Sequence, residues 1–220
     1  MDTPLILLTF AGLTVTVSIV VATLAISLVH SYASAPVHKK SASILFVLGS
    51  GGHTTELLSI ASDLDFSLYK SRTYLAFSGD SLSLVRALKQ DQAQPSLPST
   101  SPSPTTLTIP RARSVGQPYW SSLFTSALCG VSALFVLLKQ RPDVILCNGP
   151  GSSVLVCIAS LVLRATRIKV SRIVYVESLA RVNSLSLTGR LMLLIADRFI
   201  VQWPELQEKY KSTEYFGILA

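Results

Sequence analysis

The sequence is short of charge. Asp, Glu, Lys and Arg make up 14% of its 220 residues, where a soluble domain carries roughly 25%. With 49% hydrophobic residues the chain is neither a disordered polymer nor a coiled-coil rod. Cysteine is scarcer still. The three present, Cys129, Cys147 and Cys157, sit in apolar runs without a CxxC spacing, which excludes a disulfide scaffold and suits buried thiols in a reducing compartment. No His/Cys cluster has metal-ligand spacing, and no Ser-His-Asp order or G-x-S-x-G elbow is present. Neither Asn148 nor Asn183 begins an N-x-Ser/Thr acceptor, so nothing marks a luminal face. The length also excludes a large two-domain enzyme on one chain.

From Leu5 to Val29 there is no charge at all. Those 25 residues would form a helix of about 37 Å, enough to cross a ~30 Å hydrocarbon core with some tilt. Ala33-Ser34-Ala35 resembles a signal-peptide cleavage site, but the apolar run is too long for an h-region and Asp2 stands where a basic n-region belongs. The reading is a retained, single-pass anchor over residues 1–38. Asp2 flanks it on one side and His38, Lys39 and Lys40 on the other, which places residues 39–220 in the cytosol by the positive-inside rule. The net charge of +7 is lopsided: residues 1–36 carry one charged side chain, leaving 19 basic and 11 acidic groups for the remainder.

After Lys40 short β-rich runs alternate with longer amphipathic ones. Strands are expected at Ser43–Leu48, Thr73–Ser78, Thr106–Pro110, Asp143–Cys147, Ile173–Glu177 and Arg198–Gln202, the last stopped by Pro204. Helices are expected over Thr54–Leu64, Ser81–Lys89, Tyr119–Lys139, Val154–Leu163 and Thr188–Ala196. Strands apolar on both faces, alternating with helices, imply an α/β fold with a parallel sheet covered on both sides. A Rossmann-like, doubly wound sheet is the economical topology.

Ligands of such sheets bind at the carboxyl ends of the strands. Gly49-Ser50-Gly51-Gly52-His53 follows the first strand, and glycines there let backbone N–H groups approach a phosphate. A dinucleotide fingerprint would want a third glycine where Thr54 stands, which weakens a nicotinamide-cofactor oxidoreductase reading. Asn148-Gly149-Pro150-Gly151-Ser152-Ser153 repeats the strand–turn–helix pattern, and Glu177-Ser178 follows the fifth strand. His53 is either a polar residue at a helix N-terminus or a general base. Glu56 reads as a first-turn acid facing the helix dipole. Glu177 ends an apolar strand, where an unpaired carboxylate is costly, so a functional or hydrogen-bonded role is expected.

Residues 91–105 hold Pro95, Pro98, Pro102 and Pro104 among Ser and Thr and read as a flexible surface loop. Leu123–Leu138 is uncharged over 16 residues; a buried core helix is the first reading and an interfacial helix the second. Arg164, Arg167, Lys169 and Arg172 interleave with apolar residues, either as a solvated basic face or against anionic headgroups. Aromatics do not interleave with these charges, which argues against nucleic acid.

LGSGGHTTELL (Leu48–Leu58), IPRARSVGQPY (Ile109–Tyr119), CNGPGSS (Cys147–Ser153), YVESLARVNSLSLTGRL (Tyr175–Leu191) and ADRFIVQWPELQEKY (Ala196–Tyr210) together resemble one family. It is the membrane-anchor subunit of the UDP-N-acetylglucosamine transferase that makes the second sugar addition in dolichol-linked oligosaccharide assembly. The resemblance runs from the anchor to the end of the chain, and departs from the family mainly in the Pro/Ser-rich insert.

The resemblance implies the N-terminal, acceptor-side half of an inverting GT-B glycosyltransferase, similar to the bacterial lipid-linked GlcNAc transferase of peptidoglycan synthesis. It implies a soluble catalytic subunit as partner, which binds most of the donor UDP-GlcNAc, and no metal or other cofactor. It places the complex on the cytosolic face of the endoplasmic reticulum membrane, continuous with the nuclear envelope, converting GlcNAc-diphosphodolichol to GlcNAc2-diphosphodolichol. By motif, Gly49, Ser50, Gly51, Gly52, His53 and Thr54 become the acceptor-diphosphate loop, with His53 as candidate base. Asn148, Gly149, Pro150, Gly151 and Ser152 become the second substrate loop, and Glu177 a hydroxyl-binding or base alternative. Tyr215, Phe216, Gly217, Ile218, Leu219 and Ala220 become a docking segment for the catalytic subunit, against the bland reading of a frayed end. The competing reading is a recruitment scaffold with no part in the active site.

Overall fold

The computed structural model describes residues 41–97, 100–114 and 116–220. The anchor expected over 1–38 lies outside the described residues. Seven parallel strands form one sheet: β1 (Ala42–Val47), β2 (Tyr69–Phe77), β3 (Thr105–Ile109), β4 (Val144–Asn148), β5 (Arg172–Val176), β6 (Arg198–Val201) and β7 (Glu214–Tyr215). Their spatial order is β3-β2-β1-β4-β5-β6-β7. Strand order therefore reverses between β1 and β4, where Ile44 pairs with Val144 and Val47 with Cys147. In an open parallel sheet the crevice lies at the carboxyl ends of such a pair.

The helices are α1 (Gly52–Ser62), α2 (Ser81–Gln92), α3 (Tyr119–Gln140), α4 (Gly151–Ala165), α5 (Leu187–Met192) and α6 (Pro204–Lys209). Strand alternation divides the core into two layers. Ile44, Phe46 and Leu48 pack with Leu57, Leu58 and Ala61 of α1 and Ala87 of α2. Leu45 and Val47 face the opposite way, toward Cys129, Ala133 and Leu137 of α3 and Val156 and Cys157 of α4. The doubly wound fold expected from the βα alternation is the one observed.

Four expectations need correction. The second strand starts at Tyr69 rather than Thr73, because Arg72 is neutralised inside the sheet. Its guanidinium donates to both oxygens of Asp91, at 2.8 and 3.2 Å, and both side chains are 1% exposed. The Tyr74 hydroxyl also donates to Asp91, at 2.9 Å, and burial foremost pushes that phenol up, so it stays a donor. Second, the segment from 91 to 105 is fastened at both ends. Asp91 belongs to α2, Gln94 donates to the Ala61 carbonyl, and Arg72 donates to the Pro102 carbonyl. Its Pro and Ser content hid those anchors.

Third, Pro204 stops β6 but also opens α6 at its first turn, where its missing N–H costs nothing, and the chain then adds β7 against β6. The stretch Tyr215–Ala220 is not frayed: the amides of Leu219 and Ala220 both donate to the buried Gln202 Oε1 at 3.0 Å. Fourth, α3 is not a buried core helix. Among its described residues only one narrow stripe (Cys129, Ala133 and Leu137, spaced four apart) is buried, while Trp120, Leu123, Phe124 and Phe135 are 90, 72, 74 and 67% exposed. The basic stretch is partly paired, and Arg167 is exposed. Arg164 and Arg172 pair with Asp197, and Lys169 pairs with Asp143.

Candidate functional site

The two glycine-rich turns meet over the β1/β4 pair. After β1 the chain turns through Gly51, whose φ of 61° suits glycine, and α1 starts at Gly52. Gly51 supplies no side-chain cap, and Ser50, Gly51 and Gly52 are exposed. Backbone N–H groups at such a helix start, with the positive end of the helix dipole behind them, attract an anion.

His53 is gripped by two glycines. A Cβ on Gly49 would stand 2.6 Å from His53 Cβ, and one on Gly149 would stand 2.1 Å from Nδ1 and 2.2 Å from Cε1. Gly149 also has a φ of 68°. Both positions thus admit no side chain while the imidazole stays where it is. Thr54, counted among the substrate-binding residues from the motif, is buried instead. Its hydroxyl donates to the Gly49 carbonyl and meets Ser83 Oγ at 2.7 Å. Ser83 Oγ in turn lies 2.7 Å from Asp80 Oδ2 and 3.0 Å from Gly49 O, with one hydrogen to give to either. This polar knot fixes the loop and cannot reach a ligand.

The second turn supports the first. Asn148 is completely buried at the end of β4. Its Oδ1 lies 2.9 Å from His53 Nδ1 and its Nδ2 donates to Glu56 Oε2 at 2.9 Å. The other Glu56 oxygen accepts from Ser178 Oγ at 2.9 Å. Gly149 is occupied by the imidazole edge, Pro150 caps α4 and flanks Gly49, and Ser152 Oγ accepts from the Ala112 amide at 3.2 Å. Of that loop, Gly151 is exposed.

Glu177 is reassigned. It is 0% exposed, and its carboxylate accepts from the amides of Ser178 and Ser186, from Ser186 Oγ and from Tyr175 OH. A Cβ on Gly189 would meet its Oε2 at 2.0 Å. Burial first, and the Glu177 charge second, push the Tyr175 phenol up, which keeps it protonated and donating. With its acceptors spent on the loop before α5, Glu177 is a structural anchor and not an open base. Sequence reasoning also missed Glu56, which joins three strand-end loops rather than facing only a helix dipole. The available signal was the His53/Glu56 spacing of three, which puts both on one helix face.

Among the described residues no group of three or more His, Cys, Asp or Glu side chains could hold a metal ion. Cys147 and Cys157 touch at 3.8 Å in the core; that hydrogen bond and then burial push the Cys157 thiol well up. An apolar groove of about 440 Å³ runs between α3 and α4, lined by Leu123, Val131, Leu134, Leu155, Ile158 and Val162.

Solved structures share this sheet. The chain matches Acinetobacter baumannii MurG with a TM-score of 0.54 at 16% identity, over 74% of this chain and 42% of that one. It matches a putative UDP-N-acetylglucosamine 2-epimerase of Listeria monocytogenes at 0.52 and 14%, over 77% of this chain and 42% of that one. At these identities the likeness is one of fold: a Rossmann-like domain corresponding to one half of a GT-B enzyme. Sequence relatives are nearer. The UDP-N-acetylglucosamine transferase subunit ALG14 of Yarrowia lipolytica is 45% identical over 177 residues, 80% of each chain. The subunit of that name from Homo sapiens is 38% identical over 181 residues, 81% of this chain and 83% of its own length. Residues 44–219 match the family described as oligosaccharide biosynthesis protein Alg14 like. The exposed glycine turn, the clamped histidine and the two loops that carry them all fall within that match, and the chain belongs to the Alg14-like family.

Proposed function

We propose that the chain is the acceptor-binding, membrane-associated subunit of a two-chain UDP-GlcNAc transferase. It holds GlcNAc-diphosphodolichol on the cytosolic face of the endoplasmic reticulum and adds the second GlcNAc together with a soluble catalytic subunit. The observation that carries this reading is the His53 imidazole, fixed between Gly49 and Gly149 beside an exposed glycine turn at the start of α1. The turn offers backbone donors to the acceptor diphosphate, and the imidazole takes the proton of the attacking sugar hydroxyl. The oxygen bonds to the anomeric carbon as UDP departs. No metal ion or other cofactor enters this scheme, and the donor is held mainly by the partner.

Curated relatives are named as subunits of a transferase, which supports a second chain. Phe216 and Ile218, exposed beyond β7, supply an apolar contact for it. The exposed face of α3 lies against the bilayer.

The test is GlcNAc transfer to a GlcNAc-diphospho-lipid by membranes carrying this chain, with and without a co-expressed soluble partner. Activity is expected with both chains only, and robust transfer by the single chain would sink the subunit reading. Full activity of a His53→Ala complex would reduce the chain to a recruitment scaffold.

A further inference from the structure

We infer that Glu56 sets the tautomer of His53 through the amide of Asn148, leaving the lone pair of the neutral imidazole on Nε2. An ionised carboxylate only accepts hydrogen bonds. Glu56 Oε1 takes one from Ser178 Oγ, and Oε2 sits 2.9 Å from the Asn148 amide. Only the nitrogen of that amide can donate there. A flipped amide would set its carbonyl oxygen against a carboxylate oxygen, with no hydrogen between them.

The amide is therefore oriented, and its Oδ1 is the atom 2.9 Å from His53 Nδ1. A carbonyl oxygen accepts only, so Nδ1 must carry a hydrogen. Asn148 is 0% exposed, and water does not compete for either half of its amide. Gly149 lies against the ring and Gly49 against His53 Cβ, so neither position has room for a side chain while the ring stays in place. The same arrangement serves the charged state: once Nε2 has taken a proton, the Nδ1–H still points at Oδ1, and the Glu56 charge lies one amide away.

Glu56 and Asn148 are thus positioning residues, acting on the substrate only through His53. Their importance for turnover rests on the reading of His53 as the base, whereas the tautomer assignment does not. The sequence holds three histidines, His30, His38 and His53, so the state of His53 is readable in the full-length chain by nitrogen-15 NMR of labelled histidine in detergent, with His53→Gln identifying its signals. The wild type is expected to show a protonated Nδ1 and a bare Nε2 at pH values where the ring is neutral. A protonated Nε2 in the wild type overturns the inference without any variant.

In Glu56→Ala the amide loses its orienting partner, and the second tautomer is expected to appear. An unchanged Nδ1–H overturns the relay while leaving the base reading intact. In the two-chain transfer assay Glu56→Ala is expected to lower kcat on the order of 100-fold, with the acceptor KM within threefold. Asn148→Asp alone sets two carboxylates side by side. Adding Glu56→Gln moves the single carboxylate next to His53 and compels the Nδ1–H again. The pair is expected to recover at least tenfold of the kcat lost in Asn148→Asp, and absence of recovery would mean that these residues only hold the loops together. Full activity of His53→Ala, with the tautomers as stated, would remove the base reading and spare the assignment.

Discussion

Helices α3 and α4 are both long, apolar and nearly free of charge, and they pack side by side. In α4 ten of fifteen residues are buried. In α3 the buried stripe is one residue wide. The difference lies in position: α4 begins at the β1/β4 reversal and is buried along most of its length, whereas α3 packs one stripe into the same core layer and leaves its outer face uncovered among the described residues. Apolar composition reports a demand for burial and says nothing about which neighbour will meet it. For α4 the core meets it, and for α3 the outer face stays exposed among the described residues.

A matched pair of substitutions puts this contrast at risk first. Val156→Asp places an unpaired charge at a fully buried site and is expected to cost ~4 kcal/mol or more, abolishing cooperative thermal unfolding. Phe135→Asp, on the outer face of α3, is expected to change stability by no more than about 0.5 kcal/mol. Equal losses would mean that α3 is core after all.

The turn that opens α4 is the next test. Gly149→Ala adds a side chain where the His53 ring lies and forces a left-handed alanine. A stability loss of about 1–2 kcal/mol with a fall in turnover on the order of 100-fold is expected, checked by thermal melts and the two-chain assay. A full-activity variant would show that the imidazole need not stand there.

How much of this could be read from the sequence differs along the chain. Buried strands such as β1 and β4, and the glycine turns after them, are local signals of alternation and turn chemistry, and they were legible to within a residue or two. Arg72 was not, because its partner Asp91 arrives from another element and only the fold brings the two together. The same holds at the site. His53 stood out, but Glu56 and Asn148 acquire their roles from partners far away in sequence, and a carboxylate at the end of a strand, such as Glu177, looks the same whether it faces a ligand or four donors of its own chain. Segment 91–105 misled through composition, since its anchors are backbone carbonyls and one buried acid.

The outer face of α3 can be tested in native membranes. With Trp203→Phe, which leaves Trp120 as the single indole, brominated lipids are expected to quench the tryptophan emission strongly. Emission indifferent to the bromolipid would detach α3 from the bilayer. The smallest effect concerns β7. The Arg198 hydrogen bond holds the Glu214 carboxyl below its usual range, so its contribution is present above ordinary glutamate pKa values and is lost as pH falls through the lowered one. The pair is largely exposed, and Glu214→Gln is expected to cost less than about 1 kcal/mol, read as faster hydrogen exchange at Tyr215 and Phe216.

The reversal of strand order has a consequence in time. His53 and its partner Asn148 are 95 residues apart, so a ribosome adding ~5–20 residues per second needs roughly 5–20 s between them. Throughout that interval the first glycine turn has no β4 beside it, and its histidine has neither Asn148 nor Gly149 against it. Because such distant pairings form slowly, the candidate site is completed late, and a nascent chain halted in α3 holds His53 and Glu56 without the loop that joins them.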